Sequence, residues 1–275
     1  MPAPRYGLGA GVVSGIFYAV GGSDGAAASG TVVAYAASTN LWTARASMPT
    51  ARRGVGVGVV NDTLYAVGGN TSGTAPLGTL EAYAPGTNAW ATRAPLATPR
   101  ALLGVGVVNG TLYAVGGYDG VTALGTVAAY APGTNSWTTR APMTVPRYGV
   151  GVGVVNGILY AVGGADATGI SLATVEAYDP GTNTWTTRAS LPAARAQLGV
   201  GVLDGILYAV GGYAGSNVVS TVAAYDPGTN TWTTRASLPA PRERLGVEVA
   251  NGKLYAVGGA DNTGTAVATV AEYQP

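Results

Sequence analysis

Apolar positions along this chain follow a two-residue rhythm, and none of its segments follows a helical one. In Gly54-Val55-Gly56-Val57-Gly58-Val59, glycine alternates with valine, and similar runs recur near residues 9, 104, 151 and 199. A period of two sends alternate side chains to opposite faces of a strand. No ten-residue stretch carries a 3.6-residue period, and Gly or Pro interrupts each candidate helix. Runs of this kind end in Asn109-Gly110, Asn156-Gly157, Asp204-Gly205 and Asn251-Gly252. Both positions of such a pair tolerate positive φ, which makes it a strong hairpin signal. A second strand, Leu-Tyr-Ala-Val, is closed by Gly-Gly, and a third reads Thr-Val-Glu-Ala-Tyr. Asp-Pro-Gly-Thr-Asn then turns the chain, because Pro presets φ and Gly supplies the left-handed position. A fourth strand begins at Trp and runs Trp-Thr-Thr-Arg-Ala-Ser.

This four-strand unit repeats. Its double glycine ends at Gly22, Gly69, Gly117, Gly164, Gly212 and Gly259, every 47 or 48 residues. Tyr35, Tyr83, Tyr130, Tyr178, Tyr225 and Tyr273 keep the same period. Seven residues after each of the first five tyrosines stands Trp42, Trp90, Trp137, Trp185 or Trp232. Four antiparallel strands per period of this length predict the blades of a propeller. The expectation is one all-β domain over 1–275, with blades at about 1–48, 49–96, 97–143, 144–191, 192–238 and 239–275. The sixth tyrosine has no tryptophan after it, so the sixth blade is expected to lack its outer strand, leaving 23 strands and an open edge. An open edge presents unpaired backbone groups and invites pairing with another chain. Residues 1–5 match only the link that follows a fourth strand. The leader-like opening MPAPRYGLGAGVVSGIFYAV is expected to be repeat rather than address, because it recurs as PAPRERLGVEVANGKLYAV.

The aliphatic run, the double Gly, and the Tyr and Trp at fixed spacing together resemble the Kelch repeat, across the whole chain. The resemblance implies a six-bladed Kelch β-propeller of four-stranded antiparallel blades. It also implies a binding function, although some members are enzymes. The run Ala177 to Ala193 recurs unchanged at Ala224 to Ala240, which fits either recent amplification or an engineered consensus.

Composition narrows the chemistry. His and Cys are absent, and Lys and Phe occur once each. The chain thus lacks the usual zinc, copper or haem ligands, a thiolate nucleophile and a Ser-His-Asp relay, and no cofactor is expected. A net charge of +1 argues against nucleic acid, where several phosphates must be neutralised. No apolar run approaches the ~20 residues of a membrane-spanning helix.

Topology decides which loops share a face. If the first strand descends, the loops between strands two and three and the links between blades lie together above, and there the sequence varies. Loops on a rigid scaffold are where binding usually resides. The links carry Arg5, Arg52, Arg100, Arg147, Arg195 and Arg242, one per blade. One reading has each arginine brace its blade through neighbouring carbonyls. The other has the six form a ring at the channel mouth for bidentate capture of carboxylates. The next position holds Tyr6, Arg53, Ala101, Tyr148, Ala196 and Glu243, and the one after holds Gly7, Gly54, Leu102, Gly149, Gln197 and Arg244. Tyr118, Asp119 and Tyr213 follow the double glycines. Exposed Tyr and Arg are enriched at interface hot spots. Arg244 resembles the second arginine of a Pro-Arg-x-Arg pattern that holds acidic peptides in some Kelch propellers, and the other repeats lack it. Glu248 occupies a position that is glycine in the other five repeats, and is expected to compensate Arg244 or Arg242, or to act as a base. Asn61, Asn70 and Asn109 fit glycosylation sequons.

The leading expectation is a monomeric, non-catalytic scaffold that binds a protein or acidic peptide on the upper face, with edge-strand dimerisation open to blade six. An acidic-sugar isomerase, with Glu243 or Glu248 as acid–base group, and an architectural repeat without ligand are the alternatives.

Overall fold

The computed structural model describes residues 1–71, 73 and 75–274, so Ser72 of the Asn70 sequon lies outside the described residues. Six antiparallel sheets form the blades of a β-propeller, five ordered along the chain as strands A, B, C and D and the sixth as A, B and C. In blade two these are Gly56–Val60, Thr63–Val67, Leu80–Ala84 and Ala89–Arg93. Burial falls across the blade. Strand B is enclosed from its second residue onward, while strand D is mostly exposed. The core lies between blades: Tyr65, Val67 and Leu80 of blade two pack with Leu103, Leu112 and Tyr130 of blade three.

The glycine lane of strand A is what lets blades approach. A Cβ on Gly56 would stand 2.4 Å from a methyl of Val105, and one on Gly104 only 2.2 Å from Val152. Valines of each next blade occupy the space those side chains would need. Strand A is shorter than its alternation predicts, beginning at Gly56 rather than Gly54. Gly54 has φ +61 and turns its N–H out of the blade, towards Gly7 of blade one. Strand D starts one residue before its Trp and ends at Arg93.

Blade six holds three strands, Gly246–Ala250, Lys253–Val257 and Val270–Tyr273. The six blades together thus hold 23 strands among the described residues, as the repeat predicts. A small ribbon, Tyr213–Ala214 with Asn217–Val218, adds to the B–C loop of blade five and was not foreseen. Residues 1–5 are not an outer strand. The Met1 ammonium donates to the Ala268 carbonyl at 2.8 Å, as the Leu96 N–H does to Gly78. Arg5 N–H reaches Val267 O at 3.3 Å, so the segment is the link that enters blade one.

Closure comes from a second device. Around the axis, the N–H of each upper-mouth residue donates to the carbonyl of its counterpart in the preceding blade. Gly54 gives to Gly7, Leu102 to Gly54, Gly149 to Leu102, Gln197 to Gly149, Arg244 to Gln197 and Gly7 to Arg244, all at 2.7–2.9 Å. This closed cycle of six hydrogen bonds fastens blade six to blade one without any shared strand.

Candidate functional site: the upper mouth

Each inter-blade link pairs with the B–C loop of the blade it enters. The pairs are Tyr6–Ser23, Arg53–Asn70, Ala101–Tyr118, Tyr148–Ala165, Ala196–Tyr213 and Glu243–Ala260. The variable positions therefore do share one face.

The six link arginines do not open onto the channel. Arg5, Arg52, Arg100, Arg147, Arg195 and Arg242 are all buried, Arg52 and Arg147 completely. Their guanidinium groups donate to carbonyls at the ends of strands B and C, as Arg100 does to Gly116 and Thr126 at 3.0 Å each. Their own carbonyls accept from the double glycine of the preceding blade, as Arg52 does from Gly22 at 3.0 Å. Each arginine thus ties two blades together. Arg52 and Arg147 also meet Glu81 at 2.7 Å and Glu176 at 2.6 Å. Those two carboxylates were missed in the sequence; the legible signal was a Glu two residues before the strand C tyrosine, in blades two and four alone. In blade three the same position is Ala128, and burial, opposed by Asp119, pushes the Arg100 guanidinium down to about 10.

The non-repeating residues gather instead around Tyr6. Arg244 stacks its guanidinium 5.4 Å from the Tyr6 ring centroid, and Arg53 Nη1 donates to the Tyr6 hydroxyl at 3.4 Å. Arg244 also donates to Gln197 Oε1 and lies 3.3 Å from the Glu243 carboxylate. Burial pushes the Glu243 carboxyl up, with Arg244 opposing. A cavity of about 290 Å³ opens here, with Tyr6, Arg53, Arg244 and Tyr118 in its walls. Tyr118 and Leu102 also wall a neighbouring recess of about 310 Å³ that reaches Tyr148 and Thr168. Tyr118 and Tyr148 meet with ring centroids 5.5 Å apart. Leu102, Gln197 and Arg244 carry φ of +54 to +56, where blades one, two and four use glycine. Left-handed backbone at bulky residues is strain that concentrates at functional sites.

Two sequence candidates fall outside this cluster. Asp119 spends its Oδ1 on the backbone N–H groups of Val121 and Thr122, and those bonds hold its carboxyl below the usual range. Tyr213 belongs to the blade-five ribbon, and its carbonyl accepts from Ser171.

Glu248 is placed differently from its sequence expectation. It lines a central channel cavity of about 500 Å³ whose walls are otherwise valine and glycine. Among the described residues it forms no ion pair with Arg242 or Arg244, so the expected compensation is not made; Arg244 turns to Glu243 instead. Enclosure by apolar walls, slightly opposed by the Val249 N–H, pushes the Glu248 carboxyl up to about 8. Across this seam Ala10 of blade one, beside Gly246, stands where the other five seams carry valine.

A closed ring of five four-stranded blades and one three-stranded blade, stapled by arginines, defines a six-bladed repeat β-propeller. The chain belongs to the Kelch-repeat family: the KLHDC2/KLHL20/DRC7 Kelch-repeats domain model matches residues 107–275, and the Kelch motif matches 4–49 and 51–97. The solved structure of YjhT superposes on it with a TM-score of 0.89 at 18% identity, covering 100% of this chain and 96% of that one. No curated protein matches the chain.

Proposed function

We propose that the chain is a non-catalytic scaffold that holds an extended acidic peptide segment across its upper mouth. The observation that carries this is the convergence of Arg53 and Arg244 on Tyr6 at the edge of a cavity that shares the Tyr118 and Leu102 wall with a second recess. A carboxylate of the peptide would meet the two guanidinium groups, and an apolar side chain would enter the recess beside the packed Tyr118 and Tyr148 rings. Guanidinium forks suit carboxylates, and aromatic walls supply contact area at low entropic cost. Kelch domains commonly bind proteins, in keeping with this reading.

The test is a peptide-array screen with the wild-type chain and an Arg53→Ala, Arg244→Ala double variant. Acidic peptides should be retained by the wild type, less so at high salt, and lost by the variant. Equal retention by both proteins would sink the proposal. A second reading, recognition of an acidic sugar, draws on the raised carboxyl of Glu243 beside Arg244. Calorimetric titration with a sialic acid should give heat if it holds, and an absence of heat removes it.

A further inference from the structure

The central channel is a ligand-sized space with one charged side chain in it. Its cavity of about 500 Å³ is walled by the A strands, with Val57, Val105, Val152 and Val200 around it and Glu248 as the one ionisable lining residue. Cavities of about 300–1,000 Å³ are the size that holds small molecules. In the other five blades the position of Glu248 is Gly11, Gly58, Gly106, Gly153 or Gly201. A Cβ added at any of these would stand 2.9–3.1 Å from an atom of the next blade. Glu248 thus breaks the repeat where the repeat leaves little room.

Its carboxylate also lacks a cation. Among the described residues its one partner is the Val249 N–H. The flanking strands Gly9–Val13 and Gly199–Leu203 carry no titratable side chain. Tyr255 stands opposite Glu248 in the register, but its hydroxyl bonds to Glu272 and is pushed up to about 12. Tyr18 of blade one turns to Tyr83 of blade two. Enclosing a charge without a partner is costly, and carboxyls perturbed in this way cluster at functional sites.

The two ends of the channel differ. At the upper mouth Leu8, Leu103, Leu198 and Leu245 crowd against the hydrogen-bond cycle and leave about 100 Å³. The lower rim is made by the A–B turns, where Asp62 and Asp204 are exposed. Lys253, beside the blade-six turn, is held by Glu272 at 2.5 Å. A rim of this sign draws cations inward.

We propose that the channel binds an unbranched aliphatic amine as its ammonium ion, taken in from the lower face, with the nitrogen on Glu248 and the alkyl chain along the valines. The ammonium donates to the carboxylate and to backbone carbonyls on the inner edge of strand A, which pairs only with strand B. The alkyl chain displaces water from the valine walls. In the free chain the Glu248 carboxyl titrates near 8, so at neutral pH each ammonium bound sends one proton from Glu248 to solvent. The site lies below the upper mouth and does not depend on the peptide reading.

The test is calorimetric titration of the full chain with n-hexylammonium chloride, which stays charged throughout the range used. Saturable one-to-one binding is expected, tightening nearly tenfold from pH 6 to pH 7 and levelling off above 8, as the carboxylate fraction does. At about fourfold for each methylene, n-butylammonium should bind about fifteenfold more weakly. 1-Hexanol, without the charge, should bind at least about tenfold more weakly, and Glu248→Gln should lower hexylammonium affinity by a similar factor. The wild-type pH profile carries the test if that variant does not fold. Absence of saturable binding, equal affinity for hexanol, unchanged affinity in folded Glu248→Gln, or an affinity that is flat from pH 6 to pH 7 each overturns the proposal.

Discussion

Arg147 and Glu176 stand 2.6 Å apart with both side chains enclosed, whereas Arg100 donates to carbonyls alone. Removing one partner of an enclosed ion pair leaves the other charge without compensation, at a cost of about 3–5 kcal/mol. Arg147→Ala should therefore lose more stability in urea titration than Arg100→Ala, for which about 1.5–3 kcal/mol is expected. Equal losses would mean that the carboxylate adds nothing to the brace. Glu248 makes a prediction about pH. Its carboxyl titrates near 8 in the folded chain, against an ordinary value of 4.5. Between those values the native state keeps a proton that the unfolded state has released, so stability falls as pH rises through that window and levels off above 8. Glu248→Gln should remove this decline, as thermal melts from pH 5 to 8 would read. A variant with the same slope as the wild type would contradict the placement of the carboxylate.

At the level of the strand, the lane of glycines and the valines that fill it act as one interlocking element. A Cβ on Gly201 would stand 3.1 Å from Val247, so a side chain there competes with the next blade's valine. Glu248 occupies the matching place in blade six, and Ala10 takes the valine's position opposite. Ala10→Val should cost about 1–3 kcal/mol through overpacking. Combined with Glu248→Gly it should cost far less, because the pair then reproduces the other seams. Neighbours coupled this way give interaction energies of about 0.5–3 kcal/mol in a double-mutant cycle. Additive effects in that cycle would show that the two residues do not share this space. The strands themselves were legible from alternation and turn chemistry. Their ends were not, because Gly54 bonds across to Gly7 of another blade, a partner 47 residues away.

The ring closes through backbone at the mouth and side chains between sheets, and among the described residues blade six ends at strand C. Blade one still meets blade six through the Gly7–Arg244 bond and the Met1 and Arg5 contacts. Extending the chain by the ten residues of a strand D should add a fourth strand to blade six without altering the ring. The melting temperature should then rise, by about 2–4 °C for each kcal/mol gained, and any self-association through the edge should fall in sedimentation runs. If neither changes, the edge of Val270–Tyr273 has no role in stability or assembly.

The sequence alone determined the number of blades, the order of strands within each, the three strands described in blade six and the face on which variable residues meet. These follow from period-two alternation, paired turn residues and a repeat length, all of which act within a few residues of chain. Tertiary structure decided where the charged groups point. The link arginines turn inward to carbonyls and to Glu81 and Glu176, the carboxylates lying 29 residues further along the chain on another strand. Glu248 faces an apolar channel rather than Arg244, because Arg244 lies outside the strand at a left-handed turn that aims its side chain at Glu243 and Gln197. Long side chains choose partners by three-dimensional proximity, and packing of blade against blade sets that proximity.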